Sequence, residues 1–181
     1  MMKVPFTAEN KYGERLHFHR VVPGEKGPVL EVSNEVSPGH GPPMHVHYRQ
    51  WEELTVKEGR MGYRVQGQVA KEAGPGETVR FEAGTPHKFW AAGDQVLRCD
   101  GRICPPHNVA WFIDTLYKSM DRNGGRPGLF DSAYLLHRYR SEFGMLEVPA
   151  FVQRTIFPVV RVVGTMLGMH RRFADAPEPA R

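Results

Sequence analysis

A short run of histidines and acidic residues, GHGPPMHVHYRQWEELTVKEG, constrains this chain most; it spans residues 39–59. His45 and His47 are one residue apart, so an extended strand points both side chains to the same face. Glu52 opens an alternation of apolar and polar residues that directs its carboxylate toward the apolar interior. Because a buried carboxylate is costly unless it is paired or coordinates a cation, this spacing predicts a metal site.

A fourth donor follows about thirty residues later, in PGETVRFEAGTPHKFW. Val79 and Phe81 alternate with polar residues, which indicates a half-buried strand. Gly84 permits a tight turn, and His87 then enters the next strand on the same face as Phe89. Three histidines and one glutamate on adjacent strands would form a closed set of nitrogen and oxygen ligands.

The spacing of these residues resembles the two motifs of the cupin family. The first motif is Gly, five residues, His-x-His, four residues, Glu, six residues, Gly. It is matched at every position by Gly39, His45, His47, Glu52 and Gly59.

The second cupin motif is matched in part. Gly76, Gly84 and His87 stand at the expected positions, whereas Glu82 replaces a proline and Ala91 replaces an asparagine. Neither replaced position holds a metal in the family, so the departures affect the expected turn geometry more than the metal.

The resemblance covers roughly residues 14–100 and implies a mainly β fold, a double-stranded β-helix (jelly-roll barrel) with one divalent metal ion inside. Its four ligands would be His45, His47, Glu52 and His87. The donor types suit Fe, Mn, Ni, Zn or Cu without choosing among them. We expect a barrel over 1–104 with an N-terminal arm over 1–13, a helical extension over 105–173 and a disordered tail over 174–181.

A second His-x-His, His17 and His19, lies in the first predicted strand, Glu14 to Val22. Leu16 and Phe18 are the apolar residues of that strand, and no carboxylate follows at ligand spacing. We therefore expect both histidines to face outward.

After the barrel the apolar residues change to a helical period. One apolar face recurs at i, i+3, i+4, i+7, i+8 and i+11, formed by Val109, Phe112, Ile113, Leu116, Tyr117 and Met120. Asn108 is the predicted N-cap. A second helix is predicted over 129–143, and a third over about 148–169, bent or broken at Pro158.

Residues 157–169 are apolar apart from Arg161, but they fall short of the ~20 residues that span a bilayer. We expect this helix to pack on the barrel or across a dimer interface, and an interfacial membrane helix is the alternative. Exposed strand edges in a small barrel favour a homodimer.

The composition limits the location and partners of the chain. A formal net charge of +4 without a long Lys/Arg run argues against a nucleic-acid partner. The N-terminus lacks the apolar region of a secretory signal, and Cys99 and Cys104 do not form a disulfide framework. A reducing, cytoplasmic setting with free thiols is expected. Cys99, Cys104 and His107 are too loosely spaced to predict a second metal site.

The predicted pocket is mostly apolar and aromatic, which favours a small apolar or aromatic chelating molecule over a sugar phosphate. Alternation assigns its lining to Leu54, Val56, Tyr63, Val65, Phe81 and Phe89. We expect a metal-dependent dioxygenase, with Glu52 as ligand and intermittent base. The alternatives are a metal-dependent isomerase or decarboxylase, and a non-catalytic barrel that binds a small ligand.

Overall fold

A computed structural model describes residues 3–180. The strands are β1 (Phe6–Asn10), β2 (Glu14–Val22), β3 (Val29–Val36), β4 (His45–His47), β5 (Trp51–Glu58), β6 (Met61–Val65), β7 (Lys71–Ala73), β8 (Thr78–Phe81), β9 (His87–Ala91), β10 (Leu97–Cys104) and β11 (Phe143–Met145). The helices are α1 (Val109–Arg122), α2 (Leu129–Arg138) and α3 (Phe157–Met166), with a π-helical turn at Val152–Ile156 and a 3₁₀ turn at Met169–Phe173.

The strands form two antiparallel sheets. One sheet has the order β1-β2-β3-β10-β5-β8, and the other has the order β11-β4-β9-β6-β7. Strands that are distant in sequence are therefore neighbours in both sheets, as in a jelly roll. The predicted mainly β barrel followed by C-terminal helices is confirmed.

The N-terminal arm forms an edge strand within its own chain. Strand β1 pairs with β2 in antiparallel register, and the rings of Phe6 and Phe18 stack with centroids 4.7 Å apart. His17 and His19 lie on the outer face of β2, as expected, and hydrogen-bond to Thr7 Oγ1 and Ser33 Oγ.

Two apolar clusters stabilise the fold. The barrel cluster consists of Val36, Leu54, Val56, Met61, Ala73, Phe81, Phe89, Ala91, Leu97 and Cys99. The helix cluster joins strands β1–β3 to the helices and includes Phe18, Leu30, Trp111, Phe112, Phe130, Leu135, Tyr139 and Phe143. The extension is therefore part of the core and not a separate appendage.

The second helix is shorter than the sequence predicts. It ends at Arg138, and residues Phe143–Met145 instead form β11, which pairs with β4. The open edge of β4 offers backbone hydrogen-bonding groups that a longer helix would leave unpaired. The physical reason is thus a long-range pairing that outweighs local helical periodicity.

The third helical stretch changes its hydrogen-bonding pattern where the sequence predicts a bend or break. The π-helical turn ends at Ile156 and runs directly into α3, with Pro158 in the first turn of α3 and right-handed helical dihedrals at Ile156 and Phe157. The π-helical turn thus stands where proline removes a helical hydrogen bond. Among residues 3–180, no helix is both long and apolar enough to cross a membrane.

The C-terminal tail, predicted as disordered, is hydrogen-bonded to the rest of the protein through residue 180. The Tyr139 hydroxyl donates to the Pro177 carbonyl at 2.8 Å. The Trp111 indole N–H donates to Asp175 at 3.2 Å. Composition alone favours disorder, but these donors on α1 and just beyond α2 give the tail specific partners.

Candidate metal centre

Four donor side chains converge inside the barrel. One ligand atom from each of His45, His47, Glu52 and His87 lies within 4.8 Å of the other three. The sheet register brings them together, because His45 pairs with His87 across β4 and β9. Glu52 reaches from the facing sheet, and its Oε2 lies 3.0 Å from His87 Nε2.

Backbone carbonyls orient two of the imidazoles. His45 Nδ1 lies 2.9 Å from the Pro43 carbonyl, and His87 Nδ1 lies 2.8 Å from the Thr85 carbonyl. Because a carbonyl only accepts, each Nδ1 carries a proton, and each Nε2 is the ring nitrogen left for the donor cluster.

His47 differs from the other two imidazoles. Among the described residues its buried Nδ1 has no hydrogen-bond partner. Its ring packs edge-on against Phe143 of β11, with centroids 5.5 Å apart. A buried nitrogen without a partner is costly, and coordination of a metal ion would satisfy it.

The protonation states suit a divalent cation. Burial, together with the other histidines of the cluster, lowers the pKa of His45 to about 3. Burial also lowers the pKa of His47 to about 4, although Glu52 opposes it. For Glu52, burial alone would raise the pKa, but the His87 hydrogen bond and the other imidazoles hold it at about 2. At neutral pH, His45 and His47 are therefore neutral and the carboxylate is ionised, and the residues present fit a divalent metal ion.

A cavity of about 160 Å³ opens onto this cluster. His45, His47 and Glu52 contribute to its wall from the barrel. The opposite wall is the apolar face of α1, formed by Val109, Phe112, Ile113, Leu116, Tyr117 and Met120. The six positions predicted as one helical face all line the cavity, so the helix encloses the site.

Only Phe89, of the six predicted pocket residues, lines the cavity. Leu54, Val56 and Phe81 belong to the barrel cluster, and Tyr63 and Val65 pack against that cluster. The Phe81 ring stacks on His87 with centroids 3.9 Å apart and supports that donor from behind. The alternation of apolar and polar residues predicts which side chains of a strand point inward. It does not predict at which end of the barrel the cavity lies.

Sequence reasoning missed the helical side of the cavity. The period of α1 identified its apolar face, but nothing in the sequence showed that this face meets the metal cluster. Phe143 and Met145 were missed because the predicted second helix extends to residue 143 and no strand is predicted between the second and third helices.

The two cysteines lie apart from this site. Both are buried and free, and burial raises the pKa of the Cys99 thiol to about 12. Among residues 3–180, the donor cluster is the one group of three or more His, Cys, Asp or Glu side chains placed to hold a metal.

Comparison with known proteins finds a family match over the barrel part of the chain. The Cupin_2 family, described as a cupin domain, matches residues 34–104. A protein of Hypocrea virens named "Probable oxidoreductase virH" is 35% identical over 51 residues, which cover 28% of this chain and 23% of that protein. The chain therefore spans less than a quarter of the length of this curated relative.

Solved structures with similar folds share little sequence with the chain. KdgF from Halomonas sp. is 17% identical with a TM-score of 0.46, over 54% of this chain and 86% of that one. The Cnp3 cupin domain of Schizosaccharomyces pombe is 12% identical with a TM-score of 0.42, over 49% and 63%. The match over residues 34–104 and the observed barrel support a cupin domain in this part of the chain, followed by a helical C-terminal extension.

Proposed function

We propose that this protein binds one divalent transition-metal ion through His45, His47, Glu52 and His87. The observation that carries the proposal is the convergence of four donor atoms within 4.8 Å of one another, on three buried residues and the half-buried His45, beside a cavity. The neutral imidazoles of His45 and His47 and the ionised carboxylate of Glu52 need no deprotonation before they coordinate.

We further propose that the metal serves a dioxygenase-type reaction on a small apolar or aromatic chelating molecule. A redox-active ion would supply the electron exchange with dioxygen that the side chains themselves do not provide. Both oxygen atoms would enter the substrate, so no external reductant is required. The Hypocrea virens relative is named a probable oxidoreductase, which supports this reaction class over the part of the chain that it covers.

The chain's own residues would bind the substrate and exclude water. The apolar face of α1 covers the cavity, and Phe89 lines it from the barrel. An apolar lining favours an aromatic or aliphatic body and strengthens electrostatic interactions at the donor cluster by keeping water away. Glu52 would stay ionised as a ligand, held by its contact with His87.

The first experiment is elemental analysis of protein purified without added metal, with a His47→Ala variant and a His17→Ala control. His17 is an imidazole on the outer face of β2. We expect close to one Fe, Mn, Ni or Cu per chain in the wild type and in His17→Ala. Removal of one coordinating side chain should weaken the affinity for the metal ion by more than ~100-fold. The His47→Ala variant should therefore purify without metal.

Oxygen uptake on catechol-type chelators then tests the reaction class. Uptake by the wild type and none by His47→Ala would support the dioxygenase. Equal metal in all three proteins would contradict the proposed ligand set. A stoichiometric redox-active metal without oxygen uptake on any chelating aromatic would contradict the reaction.

A further inference from the structure

A second polar group lines the same cavity, away from the metal donors. It consists of Asn34 on β3, Glu14 on β2 and Tyr117 on α1. Arg15 and Glu35, which follow Glu14 and Asn34 in the chain, also line the cavity there. Most of the remaining wall is apolar, so these side chains form a polar pole separate from the donor cluster.

Asn34 holds a buried acceptor without a donor. Its side chain is 5% exposed, and among residues 3–180 its Oδ1 has no hydrogen-bond partner. Glu14 and Tyr117, in contrast, hydrogen-bond to each other, and Asn10 also donates to Glu14. Since an unsatisfied buried acceptor is costly, a hydrogen-bond donor on a molecule in the cavity would satisfy Asn34 Oδ1.

The sheet register sets the distance between the polar pole and the donor cluster. Asn34 pairs with Cys99 of β10, and Cys99 pairs with Val56 of β5. Val56 lies four residues along β5 from Glu52, which corresponds to about 13 Å along the strand. The side chains of Asn34 and Glu52 extend into this gap and shorten it. One ring with substituents at opposite ends would therefore reach both the polar pole and the donor cluster.

The volume of the cavity agrees with a single ring. It measures about 160 Å³, and a cavity of about 150 Å³ with apolar walls accommodates benzene. A larger fused-ring molecule would need the α1 wall to move.

We propose that the substrate is a single-ring chelator that carries a hydroxyl at the end remote from its chelating atoms, and that this hydroxyl donates to Asn34 Oδ1. Asn34 is thus a specificity-determining residue. This assignment rests on the proposed metal site, because the chelating end must be held by the metal ion.

Two hydroxypyranone chelators that differ in one hydroxyl provide the test. Kojic acid carries a hydroxymethyl group remote from its chelating oxygens, and allomaltol carries a methyl group there. Calorimetric titration of the zinc-loaded protein should show kojic acid binding about fivefold to tenfold more tightly, as one hydrogen bond predicts. The Asn34→Leu variant should lose this preference, whereas Ile113→Val, an apolar change in the same cavity, should keep it.

The outcomes separate the two proposals. Equal affinity of the wild type for both chelators would overturn the role of Asn34 and leave the metal site intact. Because that comparison uses the wild type alone, it does not depend on whether Asn34→Leu folds. Binding that is unchanged in His47→Ala, or absent throughout, would overturn the metal-based function and the role of Asn34 with it.

A separate observation concerns the outer face of α3. Its inner face packs on α2, where Gly164 is buried against the Phe130 ring. The outer face carries a second apolar stripe at i, i+3, i+4, i+7 and i+8, with exposures between 50% and 83%. The stripe consists of Val159, Val162, Val163, Met166 and Leu167.

The charges around this stripe favour an anionic surface. Residues 148–173 contain four arginines and no acidic residue. Arg172 pairs with Asp131 of α2, and Arg154 and Arg171 are exposed before and after α3 in the chain. A second copy seated on the stripe by two-fold symmetry would bring the exposed arginines of the two copies near one another, without acidic residues of the same segment to pair with them. An apolar stripe flanked by basic residues is typical of helices that lie in an anionic membrane surface.

We infer that α3 docks on anionic membrane surfaces. Co-sedimentation with phosphatidylcholine vesicles, with and without phosphatidylglycerol, tests this inference. We expect binding that requires the anionic lipid and that falls about tenfold in Met166→Asp. Val69→Asp, at a side chain that is 79% exposed elsewhere on the barrel, should bind as the wild type does.

Two results would overturn the membrane assignment. One is the absence of wild-type binding to anionic vesicles. The other is a concentration-dependent dimer in solution that Met166→Asp dissociates and Val69→Asp does not, which would assign the stripe to a second copy of the chain.

Discussion

The two walls of the cavity have different origins and different roles. The barrel wall contributes His45, His47 and Glu52, and the donor cluster to which they belong comes from three strands in two sheets. The α1 wall contributes apolar side chains and the Tyr117 hydroxyl. The barrel wall thus carries the donor chemistry, and the helical wall determines the size of the cavity and excludes water.

This difference shows how an extension can change the use of a barrel without changing its donor cluster. The donors are held by sheet register and by carbonyls of their own loops. The helix meets them through β11, whose Phe143 packs on both His47 and Phe112. If the two walls are separable, a variant in the helical wall should alter stability and ligand size while the metal content stays constant.

Truncation of Phe112 should have the largest effect on stability. Its ring is buried, and its centroid lies 4.5 Å from that of Phe143. Removing a buried phenylalanine should lower the free energy of unfolding by about 3–5 kcal/mol. Denaturant unfolding of Phe112→Ala measures this loss, and Val69→Ala, at an exposed position, should stay within about 0.5 kcal/mol.

Metal analysis of the same variant tests the comparison directly. We expect Phe112→Ala to retain the metal content of the wild type at a temperature where it is folded. Loss of metal from the folded variant would show that the helical wall also positions the donors.

Glu142 tests whether the tail secures the helical wall. Its carboxylate is fully buried and accepts from the Asn108 amide groups and from the Ala180 N–H at 2.8–3.2 Å. Glu142→Gln replaces one acceptor oxygen with a donor, so we expect a loss of about 1–3 kcal/mol and faster proteolysis of the tail.

The control for this prediction is Glu178→Gln, whose side chain is 89% exposed and pairs with Arg138. An exposed ion pair contributes about 0–1 kcal/mol. Equal losses in the two variants would argue against a special role for the buried carboxylate.

The smallest expected effect is at Gly164, where α3 meets α2. Alanine favours a helix by up to ~1 kcal/mol over glycine, but a Cβ at this position would overlap the Phe130 ring. We expect the overlap to dominate, with a net loss of about 1 kcal/mol. A stabilised Gly164→Ala protein would show that the two helices separate readily, and Thr165→Ala on the exposed side serves as the control.

The donor cluster was predictable because it depends on local geometry. One residue separates His45 from His47, and four separate His47 from Glu52. With the alternation of a strand, these spacings predict that all three side chains point inward, without knowledge of the rest of the chain. The cavity lining was not predictable in the same way. Val56 and Phe89 both face inward, yet of the two only Phe89 lines the cavity, because the ends of the barrel differ in what covers them.

The main barrel strands, the inward donors and the apolar face of α1 follow from the sequence alone, since each depends on a period of two or 3.6 residues along a continuous stretch. The tertiary structure decided the pairing of β11 with β4, the docking of the tail and the meeting of α1 with the donor cluster. These features depend on contacts between residues far apart in the chain, where the gain from pairing and burial outweighs local propensity. The four donors could therefore be predicted from the sequence, whereas the shape of the cavity beside them could be known only from the tertiary structure.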